Sequence, residues 1–156
     1  MGDTGESREQ RLTRNVNELL QELRVAQTGV QLLLAFLLAV AFTDRYQRES
    51  TFVHSVHLVD VTVTAVASAL LIAPAAWHRL MFREGRREAV LRWGNRCAIA
   101  GLAFLAVAIA GTVLLVADVV VGGGYAALLA AGVALVIAGL WFVVPRMLPP
   151  DAELRR

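Results

Sequence analysis

Five residues in an otherwise apolar stretch have types and spacing that could do chemistry. His54, His57, Asp60, Thr64 and Ser68 recur at intervals of three, three, four and four, which lines them along one face of a helix. Asp60 is the demanding member. A charged side chain at the centre of a membrane span costs about 2.5–3.5 kcal/mol on insertion scales. Counted from Val53, Asp60 lies seven residues in, roughly 10 Å deep at about 1.5 Å per residue. So short a side chain cannot snorkel from there, and it must face protein or a water-filled cavity, protonated or paired. His57, one turn toward the outside, is the expected partner.

Two uses of the stripe compete. In one, Asp60 is a buried hydrogen-bond hub that locks its helix to a neighbour, with the histidines at the wet outer boundary. In the other, His54, His57 and Asp60 form a proton or cation path open to the outside, the default reading for intramembrane ionisable groups. Asp118 lies toward the same outer face and could approach either histidine; a metal site built from His54, His57 and the two aspartates is conceivable but is not the expected use. A second polar face, Arg24, Gln27 and Gln31, falls in the inner half of another apolar run beside Thr28, and interhelical hydrogen bonds account for it. The chain has no GxSxG, HExxH or Walker motif. The histidines are at i, i+3 with no Glu between them, so no catalytic, cofactor or metal role is assigned.

The elements that must carry these residues follow from composition. Hydrophobic residues make up 57% of the 156 and charged ones 18%, with mean hydropathy +0.59. A soluble domain averages about 45–50% apolar and about 25% charged. The excess is concentrated in four runs, Val25–Phe42, Val53–Ala76, Cys97–Ala117 and Tyr125–Val144. Each is near the 20 residues a spanning helix needs. Lipid offers no partner to exposed backbone, so the runs must be helices; none alternates as a barrel strand would. The expected fold is therefore all-α, an integral membrane four-helix bundle. The polar, mixed-charge segment ahead of the first run differs from a short basic signal region, which makes that run a retained span.

All fifteen basic residues are Arg, a bias expected of GC-rich coding. Arg8, Arg11, Arg14 and Arg24 precede the first run; Arg79, Arg83, Arg86, Arg87, Arg92 and Arg96 separate the second from the third; Arg146, Arg155 and Arg156 follow the fourth. Only Arg45 and Arg48 lie on the other side. Thirteen against two predicts both termini and the middle loop in the cytoplasm of a bacterial cell. The net charge of +2 is too small to suggest nucleic acid, and the lone Cys97 excludes an internal disulfide.

The flanking segments have expected roles. Residues 1–24 form a cytoplasmic segment in which Leu12, Val16, Leu19 and Leu23 line one helical face. That amphipathic helix would lie on the inner leaflet or against the middle loop, or dock a cytoplasmic protein through residues 8–23. The loop, residues 77–96, is expected to be helical with a break at Gly85, its six arginines meeting anionic headgroups; residues 145–156 form a cytoplasmic tail. Pro74 should loosen and kink the second helix at its inner end, since it leaves the Leu70 carbonyl without a donor. Gly122-Gly123-Gly124 reads as a tight outer turn. Ala126, Ala130, Ala134 and Ala138 form a small-residue ladder, with Ala98, Ala106 and Ala110 a partial counterpart. Such faces drive helix association in lipid and leave homo-oligomerisation open.

Arg14–Gln31 (RNVNELLQELRVAQTGVQ), Leu70–Arg83 (LLIAPAAWHRLMFR) and Asn95-Arg96 resemble a family of small four-span actinobacterial membrane proteins of unknown function. The likeness covers nearly the whole chain. It implies actinobacterial origin and four spans; some similar proteins carry a sodium/proton antiporter label. Large antiporters pair intramembrane carboxylates, whereas this chain has one deep candidate, Asp60. The functional expectation is an accessory, scaffold or regulatory membrane protein, with a proton- or cation-linked transporter or channel subunit as the alternative.

Overall fold

A computed structural model describes residues 8–80 and 87–147. The described chain is helical almost throughout: α1 is Arg8–Val40, α2 Thr51–Leu80, α3 Arg87–Val120 and α4 Gly123–Ala138, continued by a π-helical turn, Gly139–Val143, and a last turn, α5, Val144–Met147. Four stretches are long and apolar enough to cross a membrane: Gln10–Val40, Thr51–Leu80, Glu88–Val120 and Gly124–Met147.

The helices run well past the apolar windows. The 33 residues of α1 span about 50 Å at about 1.5 Å per residue, against a hydrocarbon thickness of about 30 Å. Of the segment ahead of the first run, the described residues 8–24 are thus continuous with the apolar run in α1. The middle segment is likewise shared out: Trp77–Leu80 end α2 and Arg87–Arg96 begin α3. Residues 1–7, the expected break at Gly85 with Arg83 and Arg86, and the tail from residue 148 lie outside the described residues.

Local chemistry sets the ends. The Ser50 hydroxyl accepts from the Val53 amide at 3.3 Å, satisfying one of the open donors at the start of α2. Gly122, at φ 67°, ends α3 by sending its amide to the Ala117 carbonyl at 3.3 Å. A residue without a Cβ holds that left-handed conformation at no steric cost, so α3 turns directly into α4. Pro145 cannot donate to the Trp141 carbonyl, and the adjoining turn of the fourth helix widens to π geometry, with the Val144 amide bonded to the Gly139 carbonyl.

Three helices share one repeat. On α2 the buried residues are Val53, His57, Asp60, Thr64, Ala67, Leu71 and Pro74. On α1, Val16, Leu23, Val30 and Leu37 are buried, with Leu19, Ala26 and Leu33 half-buried between them. On α3 Val90, Gly94, Ala98, Gly101, Leu105, Ala108 and Leu115 are buried largely in the same rhythm, with Ala117 buried beside its end. Alternating steps of three and four are the 3.5-residue repeat of left-handed supercoiled packing. The heptad face noticed at Leu12–Leu23 therefore continues through α1 to Leu37. It packs inside the chain, with Leu19 against Gly94 of α3.

α4 does not share this repeat. Ala126 and Ala130 are buried, Ala134 is half-buried and Ala138 exposed. Only 6% of its apolar window is covered, against 28% for α2. α4 leans on α3 beside a core made by α1, α2 and α3.

Candidate functional site

The polar stripe sits on the α2 face turned toward α3. Asp60 is 3% exposed, Thr64 0% and His57 5%. The expected partner of Asp60 proves wrong. The Thr112 hydroxyl on α3 donates to Asp60 Oδ2 at 2.8 Å, while His57 lies beside Tyr46, ring centroids 4.8 Å apart. The reason is packing. A Cβ placed on Gly111 would come within 2.7 Å of Asp60 Oδ1, so α3 presents backbone where any larger residue would displace the carboxylate. That close approach puts the Thr112 hydroxyl within reach of Asp60.

The remaining stripe residues separate. Thr64 donates to the Asp60 carbonyl of its own helix at 2.7 Å, closing its hydrogen bond locally, and Ser68 is half-buried. Below them the same face continues as Ala67 and Leu71, both 0% exposed, and Pro74, which is also buried. The stripe ends in an apolar core. Above, His54 faces the Tyr46 carbonyl at 2.9 Å from Nε2, and its ring lies 4.5 Å from the Tyr46 ring. Tyr46, in the short 3-10 turn Tyr46–Arg48, thus packs on both histidines, of which His57 is buried and His54 half-buried. No group of three or more His, Cys, Asp or Glu among the described residues is placed to hold a metal ion, and Asp118 does not join the histidines.

Beside this cluster is a cavity of about 310 Å³ whose wall includes His57 and Thr112. Leu37 and Val40 of α1 and Leu115 and Val119 of α3 line it, and Arg45, Tyr46 and Glu49 close one end. Arg45 reaches across to the Val119 carbonyl at 3.1 Å and pairs with Glu49 at 3.6 Å, tying the α1–α2 connection to the end of α3.

On the second polar face only Gln27 is used between helices. Its amide donates to the Leu71 carbonyl at 2.8 Å, in the turn beside Pro74. That helix is assigned without interruption through the proline. Arg24 and Gln31 are exposed, and Thr28 bonds back to the Arg24 carbonyl at 3.1 Å.

At the opposite end, a groove of about 670 Å³ runs between the first turns of α1 and α3, with Glu18, Glu22, Glu88 and Arg92 among its lining. Of the arginines assigned to headgroups, Arg79, Arg92 and Arg96 are exposed, and Arg96 lies over the Trp93 ring at 4.9 Å; Arg87 stands in the first turn of α3.

Sequence reasoning passed over Gly111, Thr112 and Tyr46 as site residues. Thr112 had a signal: apart from Cys97, it is the one polar side chain between Cys97 and Ala117.

The fold is thus all-helical, with four helices long and apolar enough to cross a membrane and a buried carboxylate between two of them. The chain belongs to the family of unknown function DUF6328, whose family model matches residues 5–145. Neither a curated protein nor a solved structure matches it.

Proposed function

We propose that this protein is an accessory or scaffold subunit of the bacterial cytoplasmic membrane rather than an enzyme, with both termini and the Arg-rich connection on the cytoplasmic face. One observation carries the reading: the polar stripe stops. Beyond Thr64 the core-facing side of α2 is Ala67, Leu71 and Pro74, all apolar, and Asp60 is engaged by Thr112 and pressed against Gly111. A carboxylate held this way fastens α2 to α3. A proton or cation carrier needs polar groups or water on both sides of the site.

The contact surfaces of such a subunit lie at its edges. The groove between the first turns of α1 and α3, lined by Leu12, Leu19, Glu22 and Arg92 among others, would receive a cytoplasmic partner. The uncovered side of α4, with Leu128 at 69% and Leu135 at 73% exposure, faces lipid or a second copy. The exposed Arg79, Arg92 and Arg96 would meet anionic headgroups.

Flux measurement tests the reading directly. Purified protein in vesicles should pass no more protons or sodium ions than empty vesicles, and Asp60→Asn should change nothing. A cation flux that disappears in Asp60→Asn would overturn the proposal in favour of the transport alternative, to which the antiporter label of some similar proteins points. Orientation is tested separately, by labelling Cys97-free variants that carry single cysteines at Ser50 and Asn95. The reagent should reach Ser50 from outside intact cells, and Asn95 only after lysis.

A further inference from the structure

The cavity beside the Asp60 cluster has the properties of a ligand site. His57 is 5% exposed and forms part of its wall, yet makes no hydrogen bond to any described residue. No buried side-chain nitrogen or oxygen among the described residues lacks a partner, so the unbonded imidazole nitrogens are accessible from the chamber that the ring helps to line, and a ligand can hydrogen-bond to them there. Thr112, whose proton is committed to Asp60, also lines the chamber, and its hydroxyl oxygen can still accept a hydrogen bond.

The chamber also indicates how a ligand enters. Its end is strapped by Arg45, which bridges to Val119 and Glu49. Its rim is apolar and open: Phe36 is 50%, Val116 49% and Val120 73% exposed. These residues belong to α1 and α3, within the stretches apolar enough to cross a membrane, so entry is from the hydrocarbon. The cavity of about 310 Å³ equals roughly ten water volumes at about 30 Å³ each. That accommodates a small head and the first carbons of a chain, with the remainder lying along α1 and α3 in lipid.

From this geometry we infer that the cavity binds a neutral, single-chain, lipid-soluble molecule whose small oxygen-bearing head, a hydroxyl or carbonyl, hydrogen-bonds to His57. A charged head is disfavoured by the apolar walls, and the one guanidinium at the rim is already paired with Glu49. The inference rests on the membrane placement proposed above and goes beyond it by assigning a ligand class.

Photolabelling of the full chain in vesicles tests it, with a long-chain alcohol carrying a diazirine near its hydroxyl as the probe. The label should fall on the Tyr46 turn and the last turns of α3. 1-Dodecanol should compete at least tenfold better than dodecane or dodecanoate, and His57→Leu should remove that advantage. Val116→Trp, which fills the mouth without touching His57, should abolish site labelling even if His57→Leu folds poorly. Labelling spread equally over α4, unchanged in both variants, or competed equally by dodecane would overturn the inference. Flotation of the protein with the vesicles reports membrane placement on its own, so failure of that reading is seen separately.

Discussion

The two faces of α3 have been built to different standards. Toward α2, Gly94, Gly101 and Gly111 bring the backbones so close that a Cβ on Gly101 would sit 2.8 Å from Leu71 Cγ, and the Thr112–Asp60 bond crosses the contact. Toward α4, contact rests on Ala126 and Ala130 near the Gly122 turn, and it thins until Ala138 is exposed. The helix is built mainly of small and apolar residues between Cys97 and Ala117. In lipid apolarity alone means little, because hydrocarbon chains are as apolar as Leu and helix association depends on close packing and polar contacts. Closeness is what distinguishes the α2–α3 core from the leaning fourth helix.

The sharpest way to break the comparison is to add one methyl group on each side. Gly111→Ala must displace the Asp60 carboxylate, and Gly101→Ala must move Leu71, itself 0% exposed. Overpacking of this kind costs about 1–3 kcal/mol. Gly132 on α4 has nothing within 4 Å of its added Cβ, and Gly132→Ala should be neutral or slightly stabilising through helix propensity. Unfolding of the purified protein in bicelles measures all three. Equal effects at Gly111 and Gly132 would erase the distinction between the faces.

Next in size is the polar contact itself. Asp60→Ala removes the acceptor of the Thr112 hydroxyl and leaves a void, for an expected loss of about 1–2 kcal/mol, the upper range for hydrogen bonds between membrane helices. Thr112→Ser keeps the donor and should fall well below that, whereas Thr112→Val leaves a buried carboxylate with no partner. A double-mutant cycle between Asp60→Ala and Thr112→Val should show coupling in the same unfolding assay. Additive losses would mean that the bond contributes nothing beyond the space its groups fill.

How much of this was readable beforehand depends on the kind of pattern. The four apolar runs were plain because length and the absence of charge are one-dimensional, and the stripe through Asp60 was plain because polar residues stand out against Val and Ala. Which face of α3 meets α2 was not. Along Cys97–Ala117 nearly every residue is small or apolar, so hydrophobic periodicity carries no direction, and the ladder chosen there, Ala98, Ala106 and Ala110, includes one buried and two half-buried residues. Glycine spacing was the better guide, since a residue without a side chain is informative even where polarity is constant. The pairing of Asp60 with His57 failed for a related reason: proximity along one helix was weighed, whereas a glycine on another helix set the contact. The extent of the helices was also missed, because the seven-residue repeat from Val16 to Leu37 crosses the boundary between polar and apolar sequence.

Gln27 gives the smallest predicted effect and the finest test of the comparison, because it probes the third side of the core. Its amide donates to the Leu71 carbonyl at 2.8 Å, next to the carbonyl that Pro74 leaves without a helical donor. Leu71 also meets Gly101, so one residue of α2 is held from α1 by a hydrogen bond and from α3 by packing. If closeness outweighs polarity here, Gln27→Leu, nearly the same size, should cost only about 0.6 kcal/mol, the average for such bonds, and less than Gly101→Ala. Thr28→Val, which removes a bond confined to α1, should cost less still. Pro74→Ala returns an amide donor to the Leu70 carbonyl and tightens the turn, and combining it with Gln27→Leu shows whether the amide serves a turn the proline loosened. A smaller Gln27→Leu loss in the Pro74→Ala background supports that role. An equal loss in both backgrounds places the benefit in ordinary helix–helix attachment, and a loss larger than that of Gly101→Ala would reverse the ranking of packing over polarity.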